Sequence, residues 1–220
     1  MIDWKFILGK HIFHRNNEKG FRWVWNKYHV RQTHEESLEP EILKYGNMFV
    51  DIGCQIGRWT LPASRTYNIV HSFEPNPEVV KVLNKNLRMN KIKNVVVYNI
   101  ALLDKLGSAK LYLYESAGQD SFHKEHLGFK TIGKSINVLT KTLDEYNLEP
   151  NLVKIDTEGS EVKILIGGYK TILKYRPKLI VETHFSEDVN IIKNMFPEYR
   201  FREVLINLPS SAVTLIGESI

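Results

Sequence analysis

Acidic and imidazole side chains follow two apolar segments in the second half of the chain. The run from Leu152 to Asp156 leads directly to Glu158, and a later apolar run ends at Glu182 and His184. Carboxylates and imidazole are the groups that most often accept or donate a proton in enzymes. We therefore predict proton-transfer chemistry, with Asp156, Glu158 and His184 as candidate general bases. An ordinary histidine titrates near neutral pH, which suits His184 to this role.

Two other interpretations of these residues stay open. Asp156, Glu182 and His184 have the oxygen and nitrogen atoms to hold a divalent cation, which would lower the pKa of a bound hydroxyl. We keep this as a minority alternative and predict no metal. His184 could also be a loop histidine hydrogen-bonded to Glu182, and Lys154 could form an internal ion pair with Asp156. Function is favoured because open α/β sheets bind ligands at the carboxyl ends of their strands.

A glycine-containing turn lies earlier in the chain. The segment Phe49-Val-Asp-Ile-Gly-Cys-Gln-Ile-Gly57 leads out of an apolar run, and Arg58 opens a predicted helix. Glycine is required where the backbone takes a positive φ or approaches a ligand closely. Amides at the start of a helix suit a polar or anionic group. The candidate cofactor contacts in this turn are Asp51, Gly53, Cys54 and Gly57, and a tight turn without a ligand is the alternative.

An acidic residue follows the next apolar run, which extends from Ile69 to Phe73 and ends in Glu74-Pro75-Asn76-Pro77. An acid at the tip of the second strand, about 20 residues beyond the glycines, can accept hydrogen bonds from two ribose hydroxyls. The turn lacks the third glycine of the G-x-G-x-x-G pattern, which argues against a pyrophosphate cofactor and for a smaller adenosine cofactor. S-adenosylmethionine fits best. Asn99 and Ala101, at the end of the third predicted strand, are candidates to contact its adenine, and a loop cap is the alternative for Asn99.

The elements that must position these residues alternate as in an α/β domain. We predict a Rossmann-like, seven-stranded and mostly parallel sheet with one antiparallel strand. Two further strands, at 110–114 and 135–139, do not fit this alternation and are predicted to form a hairpin insertion above the carboxyl edge of the sheet. His123 and His126 in the connecting segment are predicted to lie in a solvated loop rather than to bind a metal. The strands predicted for the main sheet are 48–51, 69–73, 95–99, 152–156, 177–184, 199–206 and 212–216.

The excess positive charge is confined to the N-terminal segment. Residues 1–34 contain seven Lys/Arg and two acids, so that segment alone accounts for the net charge of +5. Apolar positions 4, 7, 8 and 12 have helical spacing, residues 21–25 alternate as in a strand, and a short helix is predicted for 35–45. We predict a cap at 1–46 and a cofactor-binding domain at 47–220. A surface for nucleic acid, an acidic glycan or a membrane is the alternative for residues 1–34.

Composition limits the remaining possibilities. A chain of 220 residues that is 43% hydrophobic can bury the core of one α/β domain. Its single cysteine excludes a disulfide framework and a cysteine-rich zinc site. No apolar run reaches the roughly 18 residues of a membrane span, and no secretory leader is visible, so a cytoplasmic protein is expected. The oligomeric state stays open.

Five motifs resemble those of the FkbM family of S-adenosylmethionine-dependent methyltransferases. They are FVDIGCQIGRWTL, SFEPNP, NIAL, LVKIDTEGSEVKILIG and PKLIVETH, and the resemblance covers about residues 47–185. It implies a class I methyltransferase fold and O-methylation of a hydroxyl on a sugar, a glycan or a small natural product. Cys54 and Arg58 depart from the small and aromatic residues expected in the glycine loop. The resemblance assigns Asp51, Gly53 and Gly57 to that loop, Glu74 to the ribose, and Asn99 and Ala101 to the adenine side. It assigns Asp156, Glu158 and Gly159 to the signature after the fourth strand. We predict that Asp156 serves in both cofactor binding and catalysis.

Two other functional classes remain as alternatives. A nucleic-acid methyltransferase would use residues 1–34 to bind phosphates, but no Asn/Asp-Pro-Pro-aromatic motif for a base amine is present, so we disfavour it. A non-catalytic protein could retain a cofactor fold. The intact set of Asp51, Gly53, Gly57, Glu74 and Asp156 argues against that possibility.

Overall fold

The computed structural model describes residues 5–8, 11–16, 21–25, 38–44, 46–114, 120–124, 131–205 and 213–220. Its strands are β1 (Lys5–Leu8), β2 (His11–Asn16), β3 (Phe21–Trp25), β4 (Gly46–Ile52), β5 (Tyr67–Phe73), β6 (Val95–Tyr98), β7 (Ala101–Leu102), β8 (Gly107–Tyr114), β9 (Thr131–Lys141), β10 (Leu152–Ile155), β11 (Lys178–Thr183), β12 (Tyr199–Leu205) and β13 (Val213–Ser219). Its helices are α1 (Glu39–Ile42), α2 (Thr60–Ala63), α3 (Pro77–Met89), α4 (Glu161–Gly167), α5 (Tyr169–Tyr175) and α6 (Ser186–Met195), with a 3₁₀ helix at Leu143–Tyr146. Among these residues no helix is both long and apolar enough to cross a bilayer.

A seven-stranded sheet in the order β12-β13-β11-β10-β4-β5-β6 forms the centre of the fold. Strand β13 runs antiparallel to both of its neighbours, and the other pairs are parallel. The predicted α/β sheet with one antiparallel strand is therefore confirmed. The chain winds outward from β4 through β5 to β6 and then returns to β10, so the strand order reverses between β4 and β10. Ligands in open α/β sheets bind outside the carboxyl ends of the strands at such a switch point.

The central strands are apolar because both faces of the sheet are covered. Successive side chains of a strand point to opposite faces. In β4, Val50 and Ile52 pack with the helices α4 to α6, whereas Phe49 packs on the other face with Trp59 of the following turn. Every residue of β10 is buried, which leaves Lys154 as the exception to its apolar character.

The predicted hairpin insertion is confirmed and is longer than expected. Strands β8 and β9 pair antiparallel, and β7 adds to the outer side of β9 as a parallel strand. The described part of their connection, residues 120–124, reaches back to the carboxyl edge of the main sheet, where Ser121 bonds the backbone of Glu158. His126 lies outside the described residues.

The N-terminal prediction was partly wrong. The helical spacing at positions 4, 7, 8 and 12 gives way to β1 and β2, which pair with each other, while β3 confirms the strand at 21–25. Short apolar patterns cannot separate helix from strand, and here cross-strand pairing decides. The helix predicted for 35–45 is limited to α1 in its described part, and β4 begins at Gly46. The boundary between a cap and the main domain stays a prediction.

Candidate active site at the carboxyl edge of the sheet

The turn after β4 crosses the end of β10 at very close range. Gly53 has a φ of +75°, and a Cβ there would lie 1.8 Å from the carbonyl oxygen of Asp156. Gly57 has a φ of +97°, and a Cβ there would lie 2.4 Å from Cδ1 of Leu61. Both glycines are therefore required by backbone conformation and packing. The predicted helix after Gly57 is short, because residues 55–59 form turns before α2 begins at Thr60.

Asp51 precedes this turn and Cys54 lies within it, and both side chains are buried. Oδ2 of Asp51 accepts a 2.6 Å hydrogen bond from the Thr60 hydroxyl, while its Oδ1 has no hydrogen-bond partner among the described residues. Burial raises the pKa of Asp51 against the opposing charge of Lys154. Burial also raises the pKa of the Cys54 thiol well above its ordinary value, so this side chain stays neutral and packs with Leu61.

Glu74 lies at the tip of β5 and bonds the glycine turn directly. Its Oε2 accepts from the amide of Gln55 at 3.2 Å, and its Oε1 accepts from the amide of Asn76 at 2.9 Å. Burial raises the pKa of Glu74 to about 8, although these amide bonds oppose the shift. A carboxylate oxygen has two acceptor positions, so each oxygen of Glu74 retains capacity for a further donor.

The two residues predicted on the adenine side have different environments. The Asn99 amide donates to the carbonyl oxygens of Glu74 at 3.0 Å and Pro75 at 2.9 Å, so it caps the loop after β5, as the alternative interpretation held. Ala101 is buried in β7 and packs with Leu111 of the hairpin insertion. An adenine contact by either residue stays a prediction.

Lys154 forms the internal ion pair that the sequence suggested. Its Nζ donates to Oδ2 of Asp156 at 3.1 Å, and its side chain is almost fully buried. Lys154 is also the register partner of Asp51 across β10 and β4. A lysine is tolerated in this buried strand because carboxylates flank it, and Asp156 keeps its other oxygen toward His184.

The turn at residues 158–159 has an uncommon conformation. Glu158 has a φ of +56°, which costs a non-glycine residue about 1–2 kcal/mol. The turn is held by the hairpin connection: the Ser121 hydroxyl donates to the Glu158 carbonyl at 2.7 Å, and Nε2 of His123 lies 3.0 Å from the Gly159 carbonyl oxygen. The prediction of a solvated loop is therefore wrong for His123, which is half-buried against this turn and the ring of Phe185.

His184 brings the predicted catalytic residues together. Its Nε2 lies 3.4 Å from Oε2 of Glu158, 3.9 Å from Oδ1 of Asp156 and 4.0 Å from Oε1 of Glu182. Its Nδ1 lies 3.2 Å from Oε1 of Glu161. The alternative interpretation supposed a hydrogen bond between His184 and Glu182. The hydrogen-bonded partner is instead Glu161.

The charge state of His184 differs from the expectation. Burial disfavours the imidazolium, but the hydrogen bond to Glu161 and the charges of Glu158, Glu161 and Asp156 outweigh it and raise the pKa of His184 to about 10. The expected near-neutral pKa is therefore wrong, because the surrounding carboxylates stabilise the protonated ring. A protonated imidazole cannot accept a proton, so among the three predicted candidates this charge state favours Asp156 and Glu158.

Three side chains of this group also have the arrangement of a cation site. Asp156, Glu158 and His184 each offer one ligand atom, and these atoms lie within 4.8 Å of one another. Oxygen and imidazole ligands suit several divalent cations. The minority alternative named Asp156, Glu182 and His184 as cation ligands. In the structure Glu158, rather than Glu182, completes this group.

Comparison with known proteins identifies this architecture. Residues 51–203 match the model of the methyltransferase FkbM domain, which covers more than half of the chain. The chain belongs to the FkbM methyltransferase family. The predicted resemblance is confirmed, and the family and fold support a methyltransferase.

Relatives of this FkbM chain have been described in several organisms. The hexuronic acid methyltransferase AglP of Haloferax volcanii is 25% identical over 198 residues, which span 86% of this chain and 74% of AglP. The crystal structure of an FkbM methyltransferase from Methylobacillus flagellatus KT aligns with a TM-score of 0.59 and 18% identity over 78% of this chain. The present chain spans less than half, 43%, of that protein.

The fold of this FkbM chain is shared with more distant methyltransferases. TYW2 of M. jannaschii, crystallised with AdoMet, aligns with a TM-score of 0.53 and 13% identity over 98% of this chain and 89% of its own. Together with the strand order, these likenesses establish the class I methyltransferase-like fold.

Sequence reasoning missed one residue of the candidate site in this FkbM chain. Glu161 closes the motif KIDTEGSE and is fully buried, with His184 as its partner. A glutamate at the first position of a predicted helix ordinarily indicates a solvated first turn. The available signal was its place two residues after Gly159 in the motif LVKIDTEGSEVKILIG.

Proposed function

We propose that this FkbM-family protein transfers the methyl group of S-adenosylmethionine to a hydroxyl on a sugar, a glycan or a small natural product. The observation that carries the proposal is the meeting of Asp156, Glu158 and His184 at the switch point, beside the Gly53 turn. Methyl transfer to a hydroxyl needs a site that binds the donor and a neighbouring group that accepts the hydroxyl proton. This edge of the sheet has candidates for both.

The residues present fit the donor. Glu74 retains acceptor capacity for ribose hydroxyls, and Oδ1 of Asp51 is buried without a partner among the described residues. The carboxylates of Asp156 and Glu158 provide a negative potential that suits the positive charge of a sulfonium. Gly53, Cys54 and Gly57 complete the proposed cofactor contacts, and Asn99 and Ala101 stay candidates for the adenine side. When bound, S-adenosylmethionine supplies an electrophilic methyl group.

The roles of the protein residues follow from their contacts. Asp156 or Glu158 accepts the proton of the acceptor hydroxyl, because the neighbouring imidazole is already protonated. His184 remains a candidate that orients these two carboxylates through its Nε2. Lys154 bonds Oδ2 of Asp156 and so limits the directions in which that carboxylate can turn.

The acceptor class is argued from charge and from the relative. AglP is named for a hexuronic acid, which supports a sugar as the acceptor. Among the described residues, however, the carboxylates of this cluster outnumber the cations, Lys154 and His184. A fixed excess of negative charge repels an anionic group. We therefore favour a hydroxyl over a carboxylate as the methylated group. The carboxylates concerned are Asp156, Glu158, Glu161 and Glu182.

A second mechanistic candidate uses a divalent cation. The spacing of ligand atoms in Asp156, Glu158 and His184 favours it, since a bound cation would lower the pKa of the hydroxyl. Turnover measured after exhaustive treatment with EDTA separates the two versions. Unchanged turnover supports the carboxylate base, whereas lost turnover that Mg²⁺ or Mn²⁺ restores supports the cation.

Methyl transfer itself is tested by incubating the protein with S-adenosylmethionine and a panel of neutral and acidic sugars. Products are analysed by mass spectrometry, and the Asp156→Asn and Glu158→Gln variants serve as controls. Methyl ethers formed by the wild type and lost in at least one of these variants support the proposal. Binding of S-adenosylhomocysteine without transfer to any hydroxylated compound would contradict the acceptor class, and absence of binding would contradict the enzyme.

A further inference from the structure

One buried carboxylate oxygen gathers the polar groups around the candidate site. Oε1 of Glu161 accepts from the amide of Thr157 at 3.0 Å, from the hydroxyl of Thr157 at 3.1 Å and from the amide of Gly159 at 3.1 Å. The same oxygen lies 3.2 Å from Nδ1 of His184. The Glu161 side chain is 0% exposed. Hydrogen bonds to an ionised acceptor in a buried place are the strong ones.

These bonds connect the ends of two neighbouring strands. The residues from Thr157 to Gly159 follow β10, and His184 follows β11, which pairs with β10 in parallel. Glu161 is the first residue of α4, and it therefore lies between both ends. A change in this one side chain affects the turn and the imidazole at the same time.

The orientation of His184 depends on this contact. An imidazole has two distinct nitrogens, and the hydrogen bond made by one of them fixes the direction of the other. With Nδ1 bonded to Glu161, Nε2 is directed toward Glu158 at 3.4 Å and Asp156 at 3.9 Å. The spacing of the proposed proton acceptors thus depends on a residue that is itself fully buried.

We infer that Glu161 is a positioning residue of the site: it holds the imidazole of His184 and the 157–159 turn so that Asp156 and Glu158 keep their arrangement for proton removal. The effect of Glu161 on turnover rests on the proposed methyl transfer. The hydrogen bond between Glu161 and His184 does not depend on that proposal. No contact of Glu161 with cofactor or acceptor is implied.

Two substitutions separate positioning from folding. Glutamine at this position is nearly isosteric, and its amide oxygen can still accept from Thr157 and Gly159, but it lacks the negative charge of the carboxylate oxygen that lies 3.2 Å from Nδ1 of His184. Glu161→Ala removes both functions, and circular dichroism shows whether it folds. Glu187→Gln is the matched control, because Glu187 is an exposed acid in the first turn of α6 close to His184 in sequence.

The first measurement is an NMR spectrum of protein labelled with ¹⁵N-histidine, in which His184→Gln assigns the His184 signals. A hydrogen-bonded Nδ1–H signal is expected in the wild type and in Glu187→Gln. It is expected to shift in Glu161→Gln, and to disappear in a folded Glu161→Ala variant. An unchanged His184 signal in Glu161→Gln would overturn the inference, whether or not the protein binds S-adenosylhomocysteine.

The second measurement is steady-state kinetics with the acceptor found in the sugar panel. In metal sites, loss of the partner that orients a ligating histidine typically reduces activity about 10–100-fold, and we take this as the order of magnitude here. We expect this loss in the kcat of Glu161→Gln, with the Kd of S-adenosylhomocysteine unchanged and Glu187→Gln fully active. If the wild type is active and Glu161→Gln has the same kcat, the inference about Glu161 is overturned and the proposed function is not affected. A wild type that neither binds S-adenosylhomocysteine nor transfers methyl groups would overturn the proposed function and the catalytic part of the inference together.

Discussion

Nε2 of His184 lies 3.4 Å from Oε2 of Glu158, across the carboxyl ends of two adjacent parallel strands. We propose that the histidine is not the proton acceptor, because this contact and the hydrogen bond to Glu161 both favour the protonated ring. The carboxylates around the ring raise the pKa of His184 to about 10 against the effect of burial. The protonated imidazole in turn orients carboxylates that can accept a proton. In the proposed mechanism the carboxylates accept the proton and His184 orients them, and these residues all follow strand ends.

Substitutions of the acids and of the histidine are expected to differ in size. Removing a general base typically lowers the rate about 10²–10⁴-fold. We expect a loss of that order in the kcat of the variant that removes the true base, Asp156→Asn or Glu158→Gln, and a smaller loss in His184→Gln. Initial rates of methyl transfer measure this, and titration of S-adenosylhomocysteine checks that binding persists. If His184→Gln is the most damaged of these variants, the division of roles proposed above is wrong.

The glycine turn predicts a stability difference between two glycines with similar backbone angles. Gly53 and Gly133 have φ values of +75° and +71°, but a Cβ at Gly133 would meet nothing within 4 Å. Gly133→Ala is expected to cost about 1–2 kcal/mol from conformation alone. Gly53→Ala adds a clash with the Asp156 carbonyl and is expected to cost about 1–3 kcal/mol more. Urea unfolding measures both. Equal losses would mean that the turn does not lie against β10 as described.

Binding of S-adenosylhomocysteine is expected to depend on pH through Glu74. Its pKa of about 8 means that the carboxyl is protonated in the free protein at lower pH. Ribose hydroxyls donate best to the ionised form, so binding lowers this pKa, and affinity rises with pH and levels off above about 8. The slope below that value is at most about tenfold per pH unit. Calorimetry across this range is the test. Glu74→Gln should remove the slope, and an equal slope in this variant would assign it to another group.

The sequence contained enough information for the sheet and for the place of the site. Apolar runs that end in acids indicate strand ends, and parallel strands bring those ends to one edge of the sheet. For this reason the sequence predicted that Asp156 and His184 lie at the same edge. The hairpin insertion was also predictable, because its alternating strands interrupt the βα order. Local periodicity was insufficient where runs are short, as in residues 5–8 and 11–16, which form strands rather than a helix.

The remaining features depend on contacts between distant residues. His123 was expected in solvent, but its bond to the Gly159 carbonyl joins positions that are 36 residues apart. The pKa of His184 results from several carboxylates that approach only in three dimensions. Glu161 has the sequence signature of an exposed helix start, and only the fold shows that Oε1 faces inward.

The most direct test of the account is calorimetric titration of S-adenosylhomocysteine into the purified protein at a pH above about 8, where Glu74 is ionised. Hydrogen bonds to a charged group contribute about 1.5–3 kcal/mol, so we expect binding by the wild type and at least about tenfold weaker binding by Glu74→Ala. Glu78→Ala, which removes an exposed acid from the same loop-helix junction, should bind as the wild type does. Equal affinity of Glu74→Ala and the wild type, or no binding by either, would contradict the proposed cofactor site.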